Sequence, residues 1–199
     1  MEALIVVDVQ NDFCPGGALA VPGGDQVVEY LNTVRGDYPL TVFTQDWHPP
    51  GHHSFASQHP GAEVGQVIEV HGQPQVMWPD HCVQGSQGAA FHPALDVRPG
   101  DPIFTKGELL EVDSYSGFLD NDGEHETGLR AFLEEKGAKR LAVAGLATDY
   151  CVKFTVLDAL RLGFAVRVLT RGCRAVNLQE GDGAAALREM EAAGAEIVD

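Results

Sequence analysis

The sequence predicts a three-layer α/β/α domain of Rossmann-like type: a mostly parallel sheet of about six strands covered by helices on both faces. Three observations predict it. Short apolar runs rich in β-branched residues recur along the chain, as buried parallel strands require. Between several of them the apolar spacing changes to three and four, and those segments end on glycine. The length of 199 residues suits one compact unit burying roughly 70% of its unfolded surface, so residues 1–199 read as a single domain that needs no disulfide framework.

In chain order, Ala3–Val9 is the first strand and Asp25–Val34 the first helix, followed by a strand at Leu40–Thr44. The region around 47–101 is crowded with Pro, Gly, His and Gln and reads as long loops. Pro102–Thr105 is the next strand, then a helix at Thr127–Lys136 closed by Gly137 and a strand at Leu141–Gly145. A helix at Asp149–Leu162 closed by Gly163, a strand at Ala165–Thr170, a helix at Asp182–Ala193 closed by Gly194 and a strand at Ala195–Val198 complete the set. Strands alternating with helices imply right-handed crossovers.

Composition narrows the function classes. With 29 Asp+Glu against 13 Lys+Arg the net charge is −16, and no basic run is present. Phosphate contacts need clustered Lys and Arg, so neither nucleic acid nor an anionic membrane is an expected partner. The expected partner is a small-molecule substrate, with the chain a monomer or homo-oligomer. The N-terminus lacks a basic leader and meets Asp8 before an apolar helix is complete, and Cys14, Cys82, Cys151 and Cys173 show no CxxC pairing. Both features suit a cytoplasmic protein with reduced thiols.

Polar groups collect where the strands end. Asp8 ends the first strand, Gln45-Asp46 the second and Lys106 the third, while Ala147-Thr148-Asp149 follows the fourth just before a helix. In open parallel sheets ligands sit beyond the carboxyl ends of the strands, so this edge is the candidate site. Cys151 falls in the first turn of the helix that Thr148 or Asp149 would cap. A helix N-terminus and a nearby cation, here Lys106, both lower a thiol's pKa. Asp8 is placed to take the thiol proton and return it to a leaving group. The Ala147 and Cys151 N–H groups form the candidate oxyanion hole. The reaction class is then acyl transfer to cysteine followed by hydrolysis, with amide, urea-like or ester substrates all open. A Cys151 that merely packs as a small hydrophobe accounts for the same spacing.

A second constellation is Asp46-Trp47-His48, followed by His52, His53, His59, His71 and His81. One carboxylate plus two imidazoles suits one divalent transition metal ion, Zn, Fe or Mn, and a solvated His-rich loop is the alternative. Phe13 and Trp78 lie in Pro/Gly-rich loops, where they are candidates either to sandwich a flat substrate or to pack the core. No GxGxxG or GxxxxGK[ST] spacing supports nucleotide binding.

The segments Asp8-Val9-Gln10-Asn11-Asp12-Phe13, Asp46-Trp47-His48-Pro49, Trp78-Pro79-Asp80-His81-Cys82-Val83 and Gly145-Leu146-Ala147-Thr148-Asp149-Tyr150-Cys151-Val152 together resemble the nicotinamidases of the isochorismatase-like hydrolase superfamily. The resemblance extends to Ala193-Gly194-Ala195 and includes Lys106-Gly107, Val112 to Phe118, and Cys173-Arg174-Ala175-Val176-Asn177. It implies the isochorismatase-like fold, hydrolysis of nicotinamide to nicotinate and ammonia, acceptance of pyrazinamide, and a catalytic triad of Asp8, Lys106 and Cys151. By the same analogy Asp46, His48 and His81 hold a metal that binds the pyridine nitrogen, and Phe13 and Trp78 flank the ring. His52 matches the later histidine of the DWHPxxHxSF pattern, which reaches the metal in some members. A cis peptide between Leu146 and Ala147 is also implied.

Two departures stand out: Gly107-Glu108-Leu109-Leu110 replaces a more polar KGT-like turn, and Arg171 stands where relatives often carry an acid. The rival within the superfamily is a hydrolase of another carboxamide or a carbamoyl or ureido amide, against which the Asp46, His48 and His81 set argues. An isochorismatase-type ether hydrolase has no need of a nucleophilic cysteine. A non-catalytic pyridine-binding module is the rival from another class.

Overall fold

The computed structural model describes residues 1–199. Its strands are β1 (Glu2–Val7), β2 (Thr41–Asp46), β3 (Val67–Val70), β4 (Gln73–Val76), β5 (Ile103–Lys106), β6 (Arg140–Leu146), β7 (Ala165–Arg174) and β8 (Glu196–Val198). Four α-helices, α1 (Val27–Val34), α2 (Leu129–Glu135), α3 (Lys153–Arg161) and α4 (Asp182–Ala192), lie between them. Six strands form one sheet in the order β5-β2-β1-β6-β7-β8, and every pairing in it is parallel.

Both faces of this sheet are covered, which is why β1 is buried continuously from Ala3 to Val7 rather than in alternation. The chain runs from β1 outward to β2 and β5, then crosses back to β6 and runs outward the other way. With right-handed crossovers, that reversal puts α1 on one face and α2, α3 and α4 on the other. It also creates a switch point between β1 and β6, whose carboxyl ends carry Asp8 and Ala147.

The helices stop where glycine was expected. The N–H of Ala138 reaches Leu133 O while Gly137 reaches Glu134 O, and the same pair of bonds recurs at Gly163-Phe164 and Gly194-Ala195. All three glycines have positive φ, as this C-terminal motif requires.

The region read as loops, 47–101, contains an unforeseen element. β3 and β4 pair antiparallel as a separate hairpin, joined at His71-Gly72 with positive φ at both residues. Gln73-Pro74-Gln75-Val76 carries little apolar signal and a proline, so its strand character comes from pairing. The rest of the region is anchored by main chain: His48 N–H donates to Cys82 O at 3.0 Å and Gln84 N–H to His48 O at 2.8 Å. These bonds bring His81 beside His48. No helix is long and apolar enough to cross a membrane.

Candidate active site

Asp8 follows β1 with φ 47°, a left-handed turn that Asp tolerates better than a branched residue. Lys106 ends β5, and Cys151 lies in a single π-type turn, Thr148–Val152, that precedes α3. All three side chains are buried and converge. Lys106 Nζ lies 3.0 Å from Asp8 Oδ2, 3.4 Å from Cys151 Sγ and 2.8 Å from Asp46 Oδ1, and donates to Ser114 O at 2.8 Å. Thr44 Oγ1 donates to Asp8 Oδ1 at 2.6 Å. Asp8 Oδ2 faces the Lys106 ammonium at 3.0 Å as a buried ion pair and still carries a second lone pair.

The electrostatics follow from burial and neighbours. Burial pushes Asp8 upward against the pull of Lys106. Burial also pushes Cys151 well above the usual thiol range, opposed by Lys106 and reinforced by the Asp8 and Asp46 charges. Lys106 lowers this thiol's pKa as expected, but the expected net lowering is corrected: desolvation outweighs it. Lys106 stays charged because Asp46 and Asp8 overcome its own desolvation.

The capping expectation is corrected too. Ala147 occupies the cap position, and no side chain caps the turn. Asp149 instead accepts the N–H groups of Val176 and Asn177 at 2.9 and 2.8 Å, tying the turn to the segment after β7. The Leu146–Ala147 peptide is cis, and the Ala147 N–H donates to no protein acceptor.

Asp46 ends β2 beside this cluster. His48 Nε2 and His81 Nε2 lie 3.0 and 3.3 Å from Asp46 Oδ2. Each ring is held from behind, with His48 Nδ1 donating to Gly107 O at 3.0 Å and His81 Nδ1 to Pro79 O at 2.8 Å. With Nδ1 of each ring committed to a carbonyl, Nε2 is the atom each can offer a transition ion beside the carboxylate. Without an ion, burial lowers the His48 pKa but Asp46 outweighs it and raises it. Burial pushes Asp46 upward, but His48 and Lys106 outweigh it and hold the carboxyl well below its usual range.

His52 is not among these three; its ligand nitrogen instead lies within 4.8 Å of ligand atoms of His48 and Asp113. The Ser54 N–H donates to His52 Nδ1, so Nε2 carries the proton and donates to Val112 O at 3.2 Å. Burial first, then His48, lowers its pKa to about 4, which keeps the ring neutral. His53 and His71 stack on each other at the surface, and His59 Nε2 donates to His53 O.

Phe13 and Trp78 line one chamber with Asp46, His81 and Cys151. Phe13 meets the edge of His81 at 5.5 Å between ring centroids, and Trp78 donates from Nε1 to Tyr115 Oη at 3.1 Å while crossing Tyr150 at 4.8 Å. A wider hollow of about 490 Å³ beside α1 shares no residue with this chamber.

Several site residues had no role assigned from sequence. Thr44 had a legible signal, a hydroxyl two positions before Asp46 in a buried strand and hence on its face. Gln10 takes the Asp46 N–H and donates to Asp46 O and Ala89 O, which locks β2's end to β1's. Ser114, Tyr115 and Tyr150 carried no signal beyond their nearness to Lys106 and Cys151. Of the two departures, Glu108-Leu109-Leu110 lie exposed after Gly107, whose carbonyl stands behind His48, and Arg171 lies over the Tyr30 ring; none of them lines the chamber.

The family described as Isochorismatase domain matches residues 2–199. A nicotinamidase of Escherichia coli strain K12 is 52% identical over 202 residues, covering 98% of this chain and 93% of that protein. The solved structure of an Acinetobacter baumanii nicotinamidase/pyrazinamidase superposes with a TM-score of 0.96 at 41% identity, covering 100% of this chain and 95% of that one. A pyrazinamidase of Pyrococcus horikoshii in complex with zinc superposes at 0.81 with 38% identity, covering 100% and 98%.

Proposed function

This chain belongs to the isochorismatase domain family, and on that premise we propose that it is a metal-assisted cysteine amidohydrolase converting nicotinamide and water to nicotinate and ammonia, with pyrazinamide as a second substrate. The observation that carries the reading is the buried cluster of Asp8, Lys106 and Cys151, in which Lys106 Nζ stands 3.0 Å from Asp8 Oδ2 and 3.4 Å from Cys151 Sγ.

Burial keeps Cys151 a thiol, so a base must act as the sulfur attacks. Asp8 takes the Sγ proton while Sγ bonds to the carboxamide carbon, and the N–H groups of Ala147 and Cys151 face the developing oxyanion. Asp8 then gives its proton to the amide nitrogen, the C–N bond breaks, and ammonia leaves a thioester on Cys151. Asp8 next takes a proton from water as the water oxygen attacks the thioester carbon. The C–S bond breaks, and the proton returns to Sγ. Lys106 remains charged throughout and offsets the negative charge that moves between Asp8 and Cys151. Ring contacts fall to Phe13 and Trp78, which line the same chamber as Cys151.

Asp46, His48 and His81 would hold one divalent transition ion, of the Zn, Fe or Mn class, whose chemistry when bound is a Lewis-acid contact for a ring nitrogen. The donor set fits, one carboxylate and two imidazoles whose tautomers are fixed by backbone carbonyls. His52 supports this site from beside His48 rather than as a ligand, its ring centroid 4.3 Å away. We read residues 1–199 as one domain working in the cytoplasm on a small molecule, a reading supported by four free cysteines and a charge of −16.

The test is release of ammonia and nicotinate from nicotinamide by the purified protein, with and without chelator, beside Cys151→Ala. Equimolar products that require Cys151 and metal are expected, with the variant slower by at least about 10⁴-fold. Undiminished turnover by Cys151→Ala would overturn the mechanism.

A further inference from the structure

A second group of metal-binding side chains lies outside the site described above. His53, His71 and Glu111 bring one ligand atom each to within 4.8 Å of one another at the protein surface. They come from three segments: the loop after β2, the turn of the β3–β4 hairpin, and the loop after β5.

The backbone holds each of them in place. His53 N–H donates to Leu110 O at 2.9 Å, which sets His53 beside Glu111, and His59 Nε2 donates to His53 O at 2.7 Å. His71 occupies the first position of the two-residue hairpin turn at φ 50°, a place where Asn or Gly is usual. There its Nε2 meets His53 Nδ1 at 2.8 Å, with the rings 18° from parallel.

We propose that His53, His71 and Glu111 form a second transition-metal site that takes an ion of the zinc class and clips the tip of the β3–β4 hairpin to the loops following β2 and β5. Two imidazoles with one carboxylate favour such an ion over magnesium or calcium, which prefer all-oxygen shells. With Zn–N bonds of about 2.0–2.1 Å, two nitrogens on a tetrahedral ion stand roughly 3.3 Å apart, so the present 2.8 Å contact opens by about half an ångström. That movement is small for an exposed turn residue. Water completes the shell. The clip acts on the wall of the chamber, because β4 runs directly into Met77-Trp78 and its Gln75 donates to Asp113 Oδ2 at 2.7 Å.

The proposal does not depend on the amidase reading, and the test keeps the two apart. Metal-free protein is dialysed against Zn²⁺, and separately Co²⁺, at concentrations well above that of the protein, and bound metal is counted. The wild type is expected to hold two equivalents. His71→Asn, chosen because Asn tolerates the turn conformation, and Glu111→Gln are each expected to hold one and to retain catalytic activity. Asp46→Asn is expected to keep the His53 site. Amide hydrogen exchange across residues 66–78 is expected to slow with excess zinc in the wild type and to be unmoved in His71→Asn. A single wild-type equivalent that Asp46→Asn abolishes, two equivalents in either surface variant, or exchange that zinc does not slow would overturn the proposal while leaving the first site untouched.

Discussion

The Lys106 ammonium is the centre of the charge balance. It stands within 3.0 Å of carboxylate oxygens from both Asp8 and Asp46, and all three side chains are withdrawn from water. Lys106→Met leaves two buried carboxyls without a cation, and breaking such a pair costs about 3–5 kcal/mol. Urea unfolding of the metal-free variant near neutral pH is expected to show that loss, with the deficit shrinking in acid as the carboxyls protonate. Thr44 tests the base directly. Its hydroxyl favours the ionised form of Asp8, which burial already pushes upward. In Thr44→Val the carboxyl should hold its proton to higher pH, so the acid limb of the kcat/KM profile moves up by about one to two units. An unmoved limb would mean that Asp8 is not the base. Asp8 and Lys106 were legible from their positions at the ends of apolar runs, and Cys151 from the first turn of the helix after the fourth strand. The direction of the Cys151 shift was not, because the depth of burial around a sulfur is set by side chains far away in sequence.

Elements set how accurately these groups are presented. The loop after β5 passes so close to His48 that a Cβ at Gly107, where φ is +66°, would stand 2.5 Å from His48 Cε1. Gly107→Ala therefore displaces the ring and its bond to the Gly107 carbonyl, and should weaken metal binding by about 10–100-fold in equilibrium dialysis. Unchanged affinity would remove His48 from the proposed ligand set. Gly107, which the resemblance includes, thus has a steric reason. The four helices were legible from period, and α2, α3 and α4 also from terminal glycines, to within two residues except where α3 is preceded by the π turn. That turn and the β3–β4 hairpin were not legible. Both depend on partners: the turn on Asp149 bridging to Val176 and Asn177, the hairpin on strand pairing between weakly apolar segments.

At the scale of the whole molecule, the charge of −16 on 199 residues works against compaction. Screening by added salt should raise the thermal midpoint by roughly 2–4 °C, equivalent to about 1 kcal/mol at this size, which scanning calorimetry between low and physiological ionic strength would measure. The sheet order decides where chemistry takes place. Because β1 lies between β2 and β6, the groups after β1, β2, β5 and β6 open onto one switch point. The sequence by itself determined the alternation of strands and helices, the helix ends, the acidic surface, and which strand ends carry Asp8, Asp46, Lys106 and Cys151. These are local consequences of hydrophobic period, glycine conformation and charge. Only the tertiary structure decided that His52 turns to the Val112 carbonyl, that Asp8 Oδ2 pairs with Lys106, and that His71 meets His53. Those outcomes depend on loops that pair across tens of residues, and no local pattern encodes the partner of a hydrogen bond made at that distance.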